Sequence, residues 1–392
     1  MRVTVERLTV SIGRPAEVVE AAVRDELEQR RASARIQTFV PIFAERAARR
    51  RLAEEGDEPG SPPAWPGTFG RVRTRLCDLL AIDHPILNAP MAMVAGAPLA
   101  AAVSDTGGLG LIGGAFRGAD GLRAEIRAAG ALTDRRIGVG FISHRAEVHE
   151  LAPVALDEGI TVVAHSFADP TPFVAPAHDA GALVLCQVRT VAEAERAAAA
   201  GVDVIVAQGT EAGGHTGRVS TLPLVPAVVD AVAPLPVVAA GGIGDARGIA
   251  AALVLGADGV WLGTRFEATP EAAVSHSFRE HLVAAGADDT VLTETFDLAI
   301  KMDWPRGIAM RALRNSFTDE WHGREDEVRA WSEQRSDEYR SGDYLFSRER
   351  GVTPAGESVG VVHAVEPAGD LVRRLVSEAE TILRERPAGL LG

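Results

Sequence analysis

The chain has 392 residues, a formal net charge of −14 and 46% hydrophobic residues, a composition typical of a globular protein with a large core. The acidic balance argues against a nucleic-acid partner, because binding a phosphate backbone requires a basic face. No uninterrupted apolar stretch approaches the roughly 18 residues of a membrane-spanning helix, so no membrane partner is predicted.

The cysteines, the lysine and the spacing of the histidines each exclude a further class of chemistry. Cys77 and Cys186 are the only cysteines, too few for a disulfide framework or a four-cysteine metal site, and their scarcity favours a reducing cytoplasm. Lys301 is the only lysine, and it follows the last predicted strand, which argues against Schiff-base chemistry. No histidine spacing typical of a metal site occurs, so no metal is predicted.

The first 57 residues predict a helical extension with two helices, Pro15–Arg35 and Phe39–Glu55. Residues 58–70 belong to a stretch rich in proline and glycine, which predicts a stiff linker. A domain boundary is therefore expected there, with one larger domain over residues 71–392.

After the linker, eight apolar runs alternate with glycine-rich turns and alanine-rich amphipathic segments. The runs are continuously apolar, as parallel strands buried on both faces require. Eight such units predict an α/β fold, a (β/α)8 TIM barrel, with an open doubly wound sheet as the alternative. The runs are Pro85–Met91, Gly108–Gly114, Ile137–Ile142, Thr161–Phe167, Leu183–Val188, Asp203–Gly209, Pro236–Gly242 and Gly259–Thr264.

Beyond residue 267 the repeat stops, and a mostly helical C-terminal segment is predicted to pack on the barrel. Residues 268–300 have a helical pattern, and the charged residues 318–342 predict a surface helix or a lid. A last helix, Ala368–Arg384, carries an apolar stripe that is expected to pack against the barrel.

In a barrel of this type, functional groups lie where the strands end. The seventh run ends in Gly241 and Gly242, whose backbone N–H groups can approach a phosphate at the start of the next helix. A ligand held there is expected to cross the mouth to the end of the first strand, on the opposite side. Flavin mononucleotide (FMN) has that length.

The densest polar loop follows the sixth run and reads AQGTEAGGHTG. Gln208 can donate to and accept from a flavin's pyrimidine edge, and the glycines let the loop close over a planar ring and present His215. His215 is the predicted catalytic base. His144 and His165 also follow strands, and either of them is expected to be a site residue or a hydrogen-bonded structural group.

The motifs PILNAPMAMVAGAPLAAAVSDTGGLGLIGGAF, AQGTEAGGHTGR, PVVAAGGIGDARGIAAALVLGADGVWLGTRF and AGESVGVV resemble the nitronate monooxygenases, over residues 75 to 385. The resemblance implies an FMN barrel that converts alkyl nitronates or nitroalkanes, with O2, to carbonyl compounds and nitrite. The catalytic histidine falls on His215. The implied cofactor contacts are Ala89, Pro90, Met91, Gln187, Gln208, Gly213, Gly214, Gly241, Gly242, Trp261, Leu262, Gly263 and Thr264.

Two positions depart from many family members. Gly140 stands where an asparagine is frequent, and Gln187 stands where a lysine is frequent. Both changes affect the expected substrate more than the cofactor.

Two alternatives remain open at this point. The first is an FMN-dependent NAD(P)H reductase of quinones or enoyl thioesters, and the second is a flavin- or phosphate-binding regulatory protein. The physiological substrate and the oligomeric state, a homo-oligomer among the options, are also left open by the sequence.

Overall fold

Eight parallel strands form the centre of the structure, a computed structural model that describes residues 16–21, 24, 72–340, 347 and 349–391. The chain divides into two units, Met1–Thr68 and Phe69–Gly392. In the first unit residues 16–21 are helical. The other predictions for the extension and for the linker up to residue 70 lie outside the described residues.

The strands are, in chain order, β1 (Ile86–Asn88), β2 (Gly110–Gly113), β3 (Ile137–Ile142), β4 (Val162–Ser166), β5 (Leu183–Val188), β6 (Val204–Gln208), β7 (Gly214–Thr216), β8 (Val237–Ala240), β9 (Gly259–Leu262), β10 (Thr290–Thr293) and β11 (Ala309–Leu313). The helices are α1 (Arg75–Leu80), α2 (Ala97–Asp105), α3 (Gly118–Gly130), α4 (Val148–Asp157), α5 (Thr171–Asp179), α6 (Val191–Ala199), α7 (Thr221–Val232), α8 (Ala246–Val254), α9 (Thr264–Glu267), α10 (His276–Ala284), α11 (Thr295–Ala299), α12 (Ser316–Trp321), α13 (Glu325–Arg340) and α14 (Ala368–Leu391).

The large sheet closes into a barrel. Its strands follow the order β1-β9-β8-β6-β5-β4-β3-β2, and all of these neighbours pair in parallel. A parallel bridge between Leu87 and Leu109 joins β1 to the residue before β2 and completes the ring. All eight predicted runs contain a barrel strand, so the predicted (β/α)8 barrel is confirmed and the open sheet is wrong.

Helix α1 closes the amino end of the barrel. Its buried side chains Leu76, Cys77 and Leu80 belong to the same apolar cluster as the inward-facing residues of the strands. The Arg75 guanidinium donates to both carboxylate oxygens of Asp258, at 2.8 and 2.9 Å, and so fixes the helix beneath β9. With this end plugged, ligands have access from the carboxyl ends of the strands.

The C-terminal segment is mostly helical, as predicted, but it also contains two strands. β10, β11 and β7 form an antiparallel three-stranded sheet, so the helical prediction for residues 268–300 is wrong at β10. Helix α13 lies in the charged segment as predicted. Helix α14 begins at Ala368, and its buried Leu371 and Leu375 join the cluster between strands and helices.

None of the helices in the described part of the chain is long and apolar enough to cross a lipid bilayer.

His165 on β4 is a structural residue of the core. Its ring is buried, stacks on Phe173 at 4.5 Å between centroids, and shares a 2.8 Å hydrogen bond between Nδ1 and the Ser143 hydroxyl. Burial lowers the pKa of His165 from 6.5 to about 4, so the folded protein keeps the ring neutral where the unfolded chain takes up a proton. Stability from this residue is therefore present above pH 6.5 and is lost as the pH falls toward 4.

We expect the substitution His165→Asn to weaken this acid sensitivity. Because of this group, the free energy of unfolding of the parent chain should fall by up to about 3 kcal/mol between pH 6.5 and 4. In the variant, the free energy of unfolding should fall by that much less over the same pH range. Urea unfolding at several pH values measures it. His322→Asn, at an exposed position, is the control; equal slopes in all three proteins would contradict the assignment.

Candidate active site

The glycine turn after β8 and the histidine loop after β6 meet at one rim of the barrel. Gly209 donates its N–H to the Ala240 carbonyl at 2.9 Å, and the Thr216 hydroxyl donates to the Gly209 carbonyl at 2.9 Å. A side chain on Gly241 would lie 2.7 Å from that same carbonyl oxygen. The predicted anion site and the predicted catalytic base therefore belong to one continuous surface.

The glycine turn has the geometry of an anion cradle. Gly241 and Gly242 have φ values of 95° and 70°, which side chains disfavour. Within the described residues, no acceptor engages the backbone N–H groups of Gly241, Gly242 and Gly263. Helix α8 follows, and its N-terminal dipole adds positive potential, with the Asp245 side chain accepting from Gly248 N–H at 3.0 Å. Free N–H groups in this arrangement suit a phosphate.

The segment after β1 crosses the mouth over β2 and β3. A side chain on Gly140 would lie 2.2 Å from Pro90 Cγ, and one on Gly113 would lie 2.4 Å from the Met91 carbonyl oxygen. Glycine at position 140 therefore leaves the space that Pro90 occupies. The expected opposite placement of the first strand is wrong, because β1 pairs with β9 and lies beside the glycine turn.

Two glutamine side chains connect β5 to the histidine loop. Gln187 donates from Nε2 to Gln208 Oε1 at 2.9 Å, and Gln208 donates from Nε2 to the His215 carbonyl at 3.1 Å. This chain of amides fixes the orientation of both groups at the mouth. A cavity of about 200 Å³ opens next to Gln187, with Phe167 and Arg189 among its lining residues.

His215 lies on β7, opposite Met310 of β11, and its ring is paired with a carboxylate. Nε2 lies 3.1 and 3.0 Å from the two carboxylate oxygens of Asp297, which is buried at the start of α11. A carboxylate accepts here, so Nε2 carries the proton and Nδ1 is the nitrogen that can act on a ligand. Asp297 thus sets the tautomer and the orientation of the ring.

An aromatic group covers one face of His215. The indole of Trp304 stacks on the imidazole, with 3.4 Å between centroids and 18° between planes. Phe167 meets Trp304 edge-on at 5.1 Å, and the His144 ring lies tilted against Trp304 at 4.6 Å. Of the two further histidines considered from the sequence, His144 therefore lies beside the site, whereas His165 is buried in the core.

The late AGESVG motif holds the histidine loop in place. Gly356 donates its N–H to Thr264 Oγ1 at 2.9 Å, and Glu357 donates its N–H to the Glu211 carbonyl at 3.0 Å. A side chain on Gly213 would lie 2.5 Å from Gly356 N, so Gly213 serves this packing. Gly214 has φ 72° and open space around it.

At the strand end formed by residues 261–264, the side chains are engaged in packing or in a hydrogen bond within the protein. Trp261 packs inside the barrel, Leu262 packs between strands and helices, and the Thr264 hydroxyl accepts from Gly356. Gly263 lies near the segment after β1, since a side chain on it would lie 3.7 Å from both Ala89 Cβ and Met91 Sδ. As a glycine, residue 263 can offer a ligand only its backbone.

The sequence did not point to Asp297, Trp304 or Phe167. Asp297 and Trp304 lie more than eighty residues after His215, in the segment without the barrel repeat, and no spacing connects them to the loop. Phe167 ends the fourth run and was available as a strand-end residue.

A sequence profile described as nitronate monooxygenase matches residues 73–155 and 146–378. A nitronate monooxygenase of Neurospora crassa is 35% identical over an alignment of 351 residues, which covers 76% of this chain and 90% of that protein. A (3aS,4S,5R,7aS)-5-hydroxy-7a-methyl-1-oxo-octahydro-1H-indene-4-carboxyl-CoA dehydrogenase of Mycobacterium tuberculosis is 38% identical over 251 residues, 64% of this chain and 68% of that protein. The same dehydrogenase of Rhodococcus jostii is matched over 64% of its length.

Two solved structures agree with these matches. FabK from Thermotoga maritima superposes with a TM-score of 0.74 and 35% identity, covering 81% of this chain and 99% of FabK. Nitroalkane oxidase from Streptomyces ansochromogenes superposes with a TM-score of 0.66 and 31% identity, covering 80% and 99%. The profile match extends over most of the chain and includes the glycine turn, His215 and Asp297. The chain therefore belongs to the nitronate monooxygenase family, a family of oxidoreductases.

Proposed function

We propose that the protein binds FMN at the carboxyl rim of its barrel and oxidises alkyl nitronates or nitroalkanes with O2 to carbonyl compounds and nitrite. The observation that carries this proposal is the His215–Asp297 pair beside the Gly241–Gly242 turn, in a chain of this family. Membership of an oxidoreductase family argues against the regulatory-protein alternative. The substrates are small molecules, so no macromolecular partner is required.

The residues at the rim fit FMN. The free N–H groups of Gly241, Gly242 and Gly263, next to the start of α8, would hold the phosphate. Ala89, Pro90 and Met91 would border the ring, and Gln187 and Gln208 would meet its polar edge. Gly214, Trp261, Leu262 and Thr264 complete the proposed contacts, the last three through their backbone. Bound there, FMN would supply the electron acceptor for the substrate and the link to oxygen.

His215 is suited to move the substrate's proton. With Nε2 held by Asp297, Nδ1 takes the proton from the carbon next to a nitro group, which converts the neutral nitroalkane into its nitronate anion. In its protonated form the same nitrogen donates to a nitronate oxygen and neutralises part of its charge. The enclosing side chains Trp304 and Phe167 exclude water from this contact.

The substitution His215→Asn should separate these two roles. FMN binding should persist, because Gln208 contacts the backbone carbonyl of residue 215. The kcat/KM for neutral nitroethane should fall by about 100-fold or more, and that for ethyl nitronate by less, since the nitronate needs no deprotonation. Nitrite release at equal FMN content measures both; His363→Asn, at an exposed position, is the control. Unchanged rates would remove His215 from the mechanism.

Asp297 should act as a positioning residue. In Asp297→Asn the amide no longer dictates the Nε2–H tautomer, so kcat for nitroethane should fall by at least about tenfold, with KM for nitroethane and FMN content unchanged. Nitrogen NMR of the His215 ring should report a changed tautomer. Asp319→Asn, at an exposed position on α12, is the matched control. A loss of FMN together with activity would indicate a purely structural role instead.

The similarity to a CoA-thioester dehydrogenase and to FabK supports a second candidate, the FMN-dependent NAD(P)H reductase of quinones or enoyl thioesters. Anaerobic mixing of the FMN-loaded protein with NADH or NADPH separates the candidates. We expect no rapid bleaching of the flavin absorbance, together with aerobic nitrite release from ethyl nitronate or propionate 3-nitronate. Rapid bleaching without nitrite release would favour the reductase.

A further inference from the structure

The indole of Trp304 contacts two imidazole rings. It stacks on His215 at 3.4 Å and packs against His144 at 4.6 Å between centroids. Phe167 closes a third side, edge-on to both Trp304 and His215. The indole therefore occupies the space over the face of the His215 ring, and we call this space, bordered by His215, His144 and Phe167, the slot.

The His215 side of the slot is held by contacts that do not involve the indole. His215 is fixed by Asp297 and by the pairing of β7 with β11. The segment that carries Trp304 is anchored at Lys301, whose ammonium donates to Glu333 at 3.0 Å. Removal of the indole alone should therefore leave a slot and not a collapsed surface.

The slot also contains polar atoms that lack partners. Trp304 Nε1 and His144 Nδ1 are buried, and neither has a hydrogen-bond partner among the described residues. Burial lowers the pKa of His144, as do the nearby charges of Arg145 and His215, so its ring is neutral near pH 7. An unpartnered buried polar atom costs free energy, which a ligand with polar groups at its edge can recover.

Building on the proposed function, we propose that Trp304 is the residue that restricts the substrate to small aliphatic nitronates. Its ring occupies the space in which an aromatic substituent of the substrate would stack against His215. A small nitronate needs only the Nδ1 edge of His215. Removal of the indole should admit a substrate with a phenyl group.

The test compares Trp304→Ala, Trp304→Phe and the parent chain on ethyl nitronate and on the nitronate of phenylnitromethane. We expect the ratio of kcat/KM, phenyl over ethyl, to rise by at least about tenfold in Trp304→Ala, because pocket space of this size commonly changes specificity by that factor. Trp304→Phe keeps a ring in the slot and should stay near the parent value. Trp321→Ala removes an indole from α12, outside the slot, and is the matched control.

A binding measurement separates this proposal from the proposed function. Benzoate, a planar aromatic anion that cannot react, should bind FMN-loaded Trp304→Ala at least about tenfold more tightly than the parent chain, whereas acetate should bind both equally. Calorimetric titration gives both constants. An unchanged benzoate constant and an unchanged kcat/KM ratio would overturn the assignment of Trp304. If the parent chain releases nitrite from neither nitronate, the proposed function is overturned. The benzoate measurement would still decide the role of Trp304 in that case.

Discussion

Closure of the eight parallel strands into one ring places every strand-to-helix loop at the same rim, and the site depends on this constraint. The Leu87–Leu109 bridge completes the ring, and α1 plugs the opposite end with Leu76 and Leu80. The glycine turn after β8 and the histidine loop after β6 then come into direct backbone contact through Gly209. The glycine turn and the loop that carries His215 lie at one rim because all the loops that follow the barrel strands emerge at that end.

The segment after the barrel supports His215 and orients its ring. β10 and β11 extend the short strand that carries His215, α11 supplies Asp297, and the following loop supplies Trp304. The Ala355–Gly356 backbone packs against Gly213 so closely that a side chain there would collide. The imidazole is therefore oriented by residues that are distant in sequence, which is how a rigid scaffold holds a side chain in one orientation.

The sequence was sufficient for the features that have a local pattern. Continuous apolar runs predicted all eight barrel strands, and the strand-end positions predicted that the glycine turn and the loop that carries His215 lie at the same rim. Asp297 and Trp304 could not be predicted, because their contacts with His215 arise from tertiary packing of a segment without periodicity. The placement of the first strand opposite the glycine turn was wrong, since strand order in a closed ring makes the first and last barrel strands neighbours.

The central claim is that the Gly241–Gly242 turn holds the phosphate of a flavin whose ring lies beside His215. The most direct measurement is the dissociation constant of FMN for Gly242→Ala and for Gly159→Ala. Both glycines have positive φ, 70° and 81°, so the backbone penalty is matched, whereas a side chain on Gly159 meets no atom within 4 Å. The account predicts at least about tenfold weaker FMN binding in Gly242→Ala only. Parent-like FMN binding in both variants would contradict it.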